Sequence, residues 1–461
     1  MAFRNIRKAK KEEIFKFQLK PKNLISNSLQ YIACMNTIVV EDLFKTVDSF
    51  SELPAEAIIK QDILRCGLTF DKNVFNKVGS YKPKDYFIFS FDHVSLSEMS
   101  EDIKFKAPEE IRLHGGPLSL KNTVVSVRIS PSSPYIVNLH EEKPALFFNQ
   151  NFLGYVDFHE IPPFYNEKLS SGQLISEIIP VLEWGYLLYI TAYRLCQYWG
   201  EKEECQFCDI NENFRQQRKE KRPYTGIKDP NIIVEALSHA AKDPGQTKAW
   251  TLTGGSVTGK LNDLNEVDFY IQYIEAIESK FPKTWISKAV LQAFEIKDCK
   301  RLADAGLQIY HPNYEVWDPV LFKKICPGKE DYIGREAWIK RVVDSVEVFG
   351  AGNVIPNFVG GVELSEPHGF KDVDRAIEST REGLEFFMAK GVIPRFTTWC
   401  PEPLSSLGHQ KAPPLEYFCK LLLNWREVFE NSKLAVPAGY GPAGVGKAVF
   451  SVSAFMDVIR S

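Results

Sequence analysis

From Tyr186 to Glu430 the chain alternates strand-like and helix-like segments six times, and this pattern constrains its fold more than any other feature. Strand-like Tyr186–Tyr193 precedes helix-like Pro230–Lys242, Trp250–Thr253 precedes Asn265–Lys280, and Trp285–Val290 precedes Asp298–Ala305. Ile309–Trp317 then leads to Arg335–Phe349, Val354–Val359 to Asp372–Lys390, and Ile393–Trp399 to Leu415–Glu430. Short apolar runs, amphipathic segments and glycine-containing returns at Gly306, Gly350 and Gly391 predict parallel βαβ units. Right-handed crossovers would curl six such units into a partial (β/α)6 TIM-like barrel or an open doubly wound sheet. The expected fold class is α/β, and a ligand belongs at the carboxyl ends of the strands.

The flanks read differently. Residues 1–180 form an expected accessory domain, with a mixed helical stretch (Lys10 to Arg65) followed by β-rich runs at Tyr86–Val94, Val124–Ile129, Tyr135–Leu139 and Ala145–Phe148. Residues 186–432 make the barrel core, and 433–461 a C-terminal tail or lid. In that last segment GPAGVGK lacks the full spacing of a phosphate loop and its following Ser or Thr, which favours a flexible tail or lid over a nucleotide site.

Composition removes several classes. With 44% hydrophobic and 25% charged residues the chain is that of a soluble globular protein. A net charge of −3 leaves no footprint for nucleic acid or an anionic membrane, and no apolar run approaches the length of a membrane helix. The basic start lacks the apolar centre of a secretory signal. Nine sparse cysteines fit reduced thiols in a reducing compartment, so a cytoplasmic location is expected.

The chemistry concentrates after the first barrel strand. CQYWGEKEECQFCDI places Cys196, Cys205 and Cys208 in a C-x8-C-x2-C spacing on one loop. Three thiolates within thirteen residues can converge on one soft centre, zinc or an iron–sulfur cluster. A closed structural zinc site wants a fourth ligand, and no further Cys follows until Cys299. Three protein ligands leave one position open for reaction. A zinc knuckle and a chance grouping of buried thiols remain alternatives.

Clustered cysteines after the first strand of a (β/α)6 pattern, with Phe207 before the last of them, resemble the radical S-adenosylmethionine (SAM) superfamily, and the core is most similar to its biotin-synthase-like branch. The eight-residue first gap departs from the commonest family spacing of three. The resemblance implies that Cys196, Cys205 and Cys208 hold a [4Fe–4S] cluster whose unique iron chelates SAM. It implies reductive cleavage of SAM to a 5′-deoxyadenosyl radical that acts on a small-molecule substrate, with an electron donor such as flavodoxin or ferredoxin. Gly254, Gly255 and Ser256 resemble the family's GGE motif at the amino end of SAM, with Ser256 in place of the acid; a simple βα turn is the plainer explanation.

On the fourth strand Asn313 and Glu315 alternate with Tyr314 and Val316, and the resemblance carries ribose or amino-group contacts to the first pair. Pairing of Glu315 with a Lys or Arg of the barrel wall is the alternative. Lys329 and Arg335 are candidates for the SAM carboxylate or for surface ion pairs. Ile355 and Val359 on the fifth strand are candidates for adenine, and Glu363 for polar support or a turn cap. On the sixth strand Arg395, Thr397 and Trp399 share a face; a strand-borne Arg suits an anionic substrate group or a salt bridge across the barrel. Cys326 and Cys400 lie near strand ends, as reactive or inert thiols. No second cysteine group or basic aromatic patch points to an auxiliary cluster or RNA. Two other classes stay open: a zinc-stabilised (β/α)-barrel enzyme using Glu315 and Arg395, and a noncatalytic iron–sulfur redox sensor or scaffold.

Overall fold

A computed structural model describes residues 42–460 apart from 223–225, 243–244 and 246, all within one compact unit, Ile38–Ser461. The expected helical stretch from Lys10 onward lies outside the described residues as far as residue 41. Its remainder forms α1 (Leu43–Ser49) and α2 (Ala55–Cys66). Asp42 caps α1 by accepting the Lys45 amide.

Six strands then build an accessory sheet: β1 (Thr69–Phe70), β2 (Glu110–Gly115), β3 (Leu120–Ser126), β4 (Tyr135–His140), β5 (Lys143–Phe148) and β6 (Asn151–Phe158). Their order is β1-β4-β5-β6-β2-β3, antiparallel except for β1 beside β4. The run Tyr86–Val94, expected to be extended, is not a strand. Tyr86 and Phe91 adopt left-handed φ of 51° and 49°, so the chain turns there, and Arg194 donates to the Tyr86 carbonyl.

The barrel follows the expected alternation. Short β7 (Val181–Leu182) pairs antiparallel with β8 (Leu187–Tyr193), and β8 runs parallel to β9 (Ala249–Gly254). Next come β10 (Ile286–Leu291) and β11 (Ile309–Pro312). Isolated parallel bridges, Tyr310 to Val354 and Glu315 to Phe358, link β11 to the parallel pair β12 (Asn357–Gly360) and β13 (Arg395–Thr398). The crossovers carry α3 (Ile210–Lys219), α4 (Pro230–Ala240), α5 (Glu266–Lys280), α6 (Ile296–Asp304), α7 (Pro319–Ile325), α8 (Pro327–Tyr332), α9 (Arg335–Asp344), α10 (Val346–Phe349), α11 (Val373–Met388) and α12 (Leu415–Ser432). The result is a mixed α/β, partial TIM-like barrel; among the described residues no strand pairing closes β13 onto β8. At that seam Thr398 donates its amide to the Val452 carbonyl and Ser126 to that of Ser451, so the C-terminal segment lies between barrel and accessory sheet.

Large apolar side chains fill the layers: Trp250 and Trp425 are wholly buried, and Trp425 stacks on Phe429 with ring centroids 5.0 Å apart. The sheet and barrel share one hydrophobic core, which also takes in Tyr440, Phe450 and Phe455 of the segment expected to be a tail or lid. No helix among the described residues is long and apolar enough to cross a membrane.

One carboxyl ties the accessory sheet to the barrel entry. Glu110 on β2, 3% exposed, accepts the backbone amides of Glu183 and Trp184, each at 2.9 Å. Burial pushes its pKa up from 4.5 to about 7, against the opposing pull of those amides. The native state therefore keeps a proton that the unfolded chain has lost, and stability falls as pH rises from 4.5 to about 7. Glu110→Gln is expected to flatten that loss, on the order of 3 kcal/mol, in urea melts across the same range; an unchanged pH slope would remove Glu110 as its source.

Candidate active site

The inward alternates of the strands line a cavity of about 250 Å³: Thr251 and Thr253 on β9, Lys288 and Val290 on β10, Asn357 and Val359 on β12, Arg395 and Thr397 on β13. Phe87, Phe89 and Phe91 of the accessory segment cover one side, and Tyr440 and Phe450 of the C-terminal segment another.

The cysteine loop sits at the carboxyl ends of the strands. A Cβ on Gly255 would lie 2.1 Å from the Leu195 carbonyl oxygen and 2.5 Å from Cys196 Cα, so only glycine allows the loop to rest on β9. Gly328 makes a similar approach to the loop's far side, where a Cβ would come within 2.5 Å of the Glu203 oxygen. Backbone amides fix the loop further: Gln197 donates to the Ser256 carbonyl at 2.8 Å, and Gln206 to that of Ile325 at 2.8 Å. The Cys196 amide donates to Asn211 Oδ1 at 2.9 Å. Cys196, Cys205, Cys208 and Phe207 all line the cavity, with Gly254, Gly255 and Ser256 beside them.

Burial pushes the thiols of Cys196 (to about 12) and Cys208 upward, whereas a hydrogen bond with Cys326 draws Cys205 down. Among the described residues no three Cys, His, Asp or Glu side chains are already closed around a common centre. The donor set is nonetheless three thiols on one tethered loop, facing a cavity, and it suits a soft iron–sulfur centre.

Asn313 and Glu315 reach the cavity by a different backbone from the one expected. Strand β11 ends at Pro312 and not at Trp317: the Asn313 amide turns back onto the His311 carbonyl at 3.0 Å, and Glu315 then takes a left-handed φ of 81°. Lys329 Nζ donates to Glu315 Oε1 at 2.6 Å and to the Asn313 carbonyl at 2.8 Å, with the two charged side chains 9% and 8% exposed. Glu315 is thus paired with a barrel-wall lysine, and Asn313 Oδ1 accepts the Asn357 amide at 3.1 Å. Arg335 does not line the cavity; its guanidinium donates to the Trp317 carbonyl and pairs with Glu336.

Val359, Arg395, Thr397 and Trp399 line the wall as the alternation requires. Ile355 does not. It precedes β12, is wholly buried outside the cavity, and its carbonyl bonds to the His311 ring at 2.7 Å. Glu363 caps its own turn, accepting the Gly361 amide at 2.9 Å. Cys400 lines the cavity with its thiol 3.7 Å from His93 Nε2.

Sequence reasoning missed Lys288, His311, Glu266, Gln292 and Tyr440, which also line the cavity. A lysine in the buried parallel strand ISKAVL was a readable signal; Tyr440 had none.

No family profile matches the chain. Over 123 residues it is 28% identical to bacteriochlorophyllide c C-7(1)-hydroxylase of Chlorobaculum limnaeum, a match covering 27% of this chain and 28% of that protein. Among solved structures it is similar to a radical SAM enzyme, coproporphyrinogen III oxidase of Escherichia coli (12% identity, TM-score 0.34, 60% of this chain and 63% of that one). It is also similar to methylornithine synthase (12%, 0.38, 54% and 63%) and to a maturase of [FeFe]-hydrogenase (13%, 0.39, 55% and 51%).

The Glu315–Lys329 pair gives a direct test. Lys329→Met leaves a carboxylate buried without its cation and is expected to cost about 3–5 kcal/mol in urea unfolding. The double variant with Glu315→Leu should recover most of that loss; equal loss in both would mean that the pair is not the source.

Proposed function

We propose that the chain is a radical SAM enzyme acting on a small organic substrate. The observation that carries this reading is the placement of three thiols on one tethered loop at the carboxyl-end mouth of a barrel cavity. Cys196, Cys205 and Cys208 would hold a [4Fe–4S] cluster with one iron left open. Such a cluster, once bound, supplies the electron that cleaves SAM to methionine and a 5′-deoxyadenosyl radical able to remove an unactivated hydrogen atom.

The chain's own residues bind, orient and exclude. Gly254, Gly255 and Ser256, which line the cavity beside the cysteines, would receive the amino-acid end of SAM, and Asn313 and Glu315 its ribose or amino group. Val359 and Phe207 supply apolar contact. Lys329 holds Glu315 in place, so its pairing orients the carboxylate toward the cavity. Phe87, Phe89 and Phe91 with Phe450 keep water from the chamber, which a reactive carbon radical requires. An electron donor of the flavodoxin or ferredoxin kind and a cytoplasmic setting complete the proposal.

A second reading rests on Cys326, whose thiol hydrogen-bonds to that of Cys205. Four thiolates could close a structural zinc site or an inert cluster with no open position.

Anaerobic purification with iron, sulfide and zinc analysis, followed by dithionite and SAM, separates the two. Iron and sulfide near four each, with 5′-deoxyadenosine in the mass spectrum, is the expected result; zinc without iron would sink the radical reading. Cys205→Ala should lose the cluster and all SAM cleavage while keeping its far-UV spectrum, and Cys326→Ala should keep both. Glu315→Ala is expected to weaken SAM binding at least tenfold in equilibrium dialysis; unchanged affinity would return Glu315 to a structural role.

A further inference from the structure

The end of the cavity away from the cysteines holds charges that the proposed cofactor site does not use. Lys288 projects from β10 and is 2% exposed; its Nζ donates to the Gly439 carbonyl at 2.5 Å and lies 4.3 Å from the Tyr440 ring centroid. Thr251, the register partner of Lys288 on β9, has a buried hydroxyl with no hydrogen-bond partner among the described residues. On β13 the Arg395 guanidinium stands 5.9 Å from the Tyr440 centroid and 5.5 Å from that of Phe450, and its buried Nε has no partner either. Among the described residues Glu183 is the one acid at this end of the cavity, 5% exposed, and its Oε2 also lacks a hydrogen-bond partner. His311 adds no charge, because burial, Arg395 and Lys288 hold its pKa well below the usual range. Lys60 is already paired with Asp457 at 2.8 Å.

Two cations thus face one carboxylate in an aromatic-walled chamber, with an unused Arg N–H and an unused Thr hydroxyl beside them. A buried cation in surplus is costly unless an anion meets it, and guanidinium N–H groups match planar or tetrahedral oxyanions. We infer that the substrate of this cavity carries a carboxylate or phosphate group, bound by Arg395 and Lys288 with Thr251 at the end opposite the cysteine loop. The inference rests on the proposed function only in taking this cavity as the reaction chamber. It fixes the orientation of substrate, with the anionic group at Arg395 and the reacting carbon toward the cysteines.

The test uses the full chain without SAM or reductant. Sodium succinate and inorganic phosphate are titrated at constant ionic strength, with chloride as the reference, following thermal stability and intrinsic fluorescence. One of the two anions is expected to give a saturable response absent in chloride, and which one does so decides between carboxylate and phosphate. Arg395→Gln should weaken that response at least tenfold, and Arg395→Lys should keep part of it. Folding of each variant is checked by circular dichroism, and Lys288→Met serves as an independent second variant with the same expected loss. Cys205→Ala should respond as the wild type does, so a failed cluster assignment leaves this result standing. No anion response in the wild-type protein, an undiminished response in folded Arg395→Gln and Lys288→Met, or loss of the response in Cys205→Ala would each overturn the assignment.

Discussion

Two backbones touch at Gly255, and the rest of the site follows from that contact. The turn leaving β8 lies so close to the end of β9 that any side chain at position 255 would occupy the Leu195 carbonyl. The thiols of Cys196, Cys205 and Cys208 therefore owe their position to main-chain packing and backbone hydrogen bonds, reinforced by the Asn211 side chain that accepts the Cys196 amide. Gly328 holds the loop from the opposite side, and its helix also carries Lys329. One piece of chain thus fixes both the cysteine loop and the cation that neutralises Glu315.

The cavity is electrically divided along the strands. Its carboxyl end carries the thiols and a neutralised Glu315–Lys329 pair, and its other end carries Lys288, Arg395 and Glu183 with one positive charge in excess. Between them lie Thr253 and Val290, and Thr397 and Val359, register partners two residues further along their strands than Thr251, Lys288, Arg395 and Asn357. Inward alternates on parallel strands produce this layering, since residues two apart along a strand face the same side.

The order of the barrel was legible because its strands are buried on both faces and its helices on one, two periods that differ in the sequence. Arg395, Thr397 and Val359 could be placed on the wall for the same reason. Glu315 could be assigned to the cavity but not to its backbone, because a left-handed φ at a glutamate has no sequence signature. The run Tyr86–Val94 misled in the opposite direction: its aromatic residues are strand-like, yet they serve as a cover pinned by Arg194. Tyr440 was invisible because nothing local tells a glycine-rich stretch that it will pack between a barrel seam and a sheet 300 residues earlier. Long-range packing, not propensity, decides such segments.

The C-terminal wall has a kinetic meaning. Lys60 on α2 donates to the Phe450 carbonyl at 2.5 Å, 390 residues away in sequence, and pairs with Asp457 in full burial. Contacts of that separation form only after the intervening chain has condensed, since loop-closure entropy must be met before they reward it. The βαβ units, with their near-neighbour contacts, can assemble earlier. The chamber would thus pass through an unsealed stage during folding, with the cysteine loop already seated on β9 and the side later covered by Phe450 still exposed to solvent.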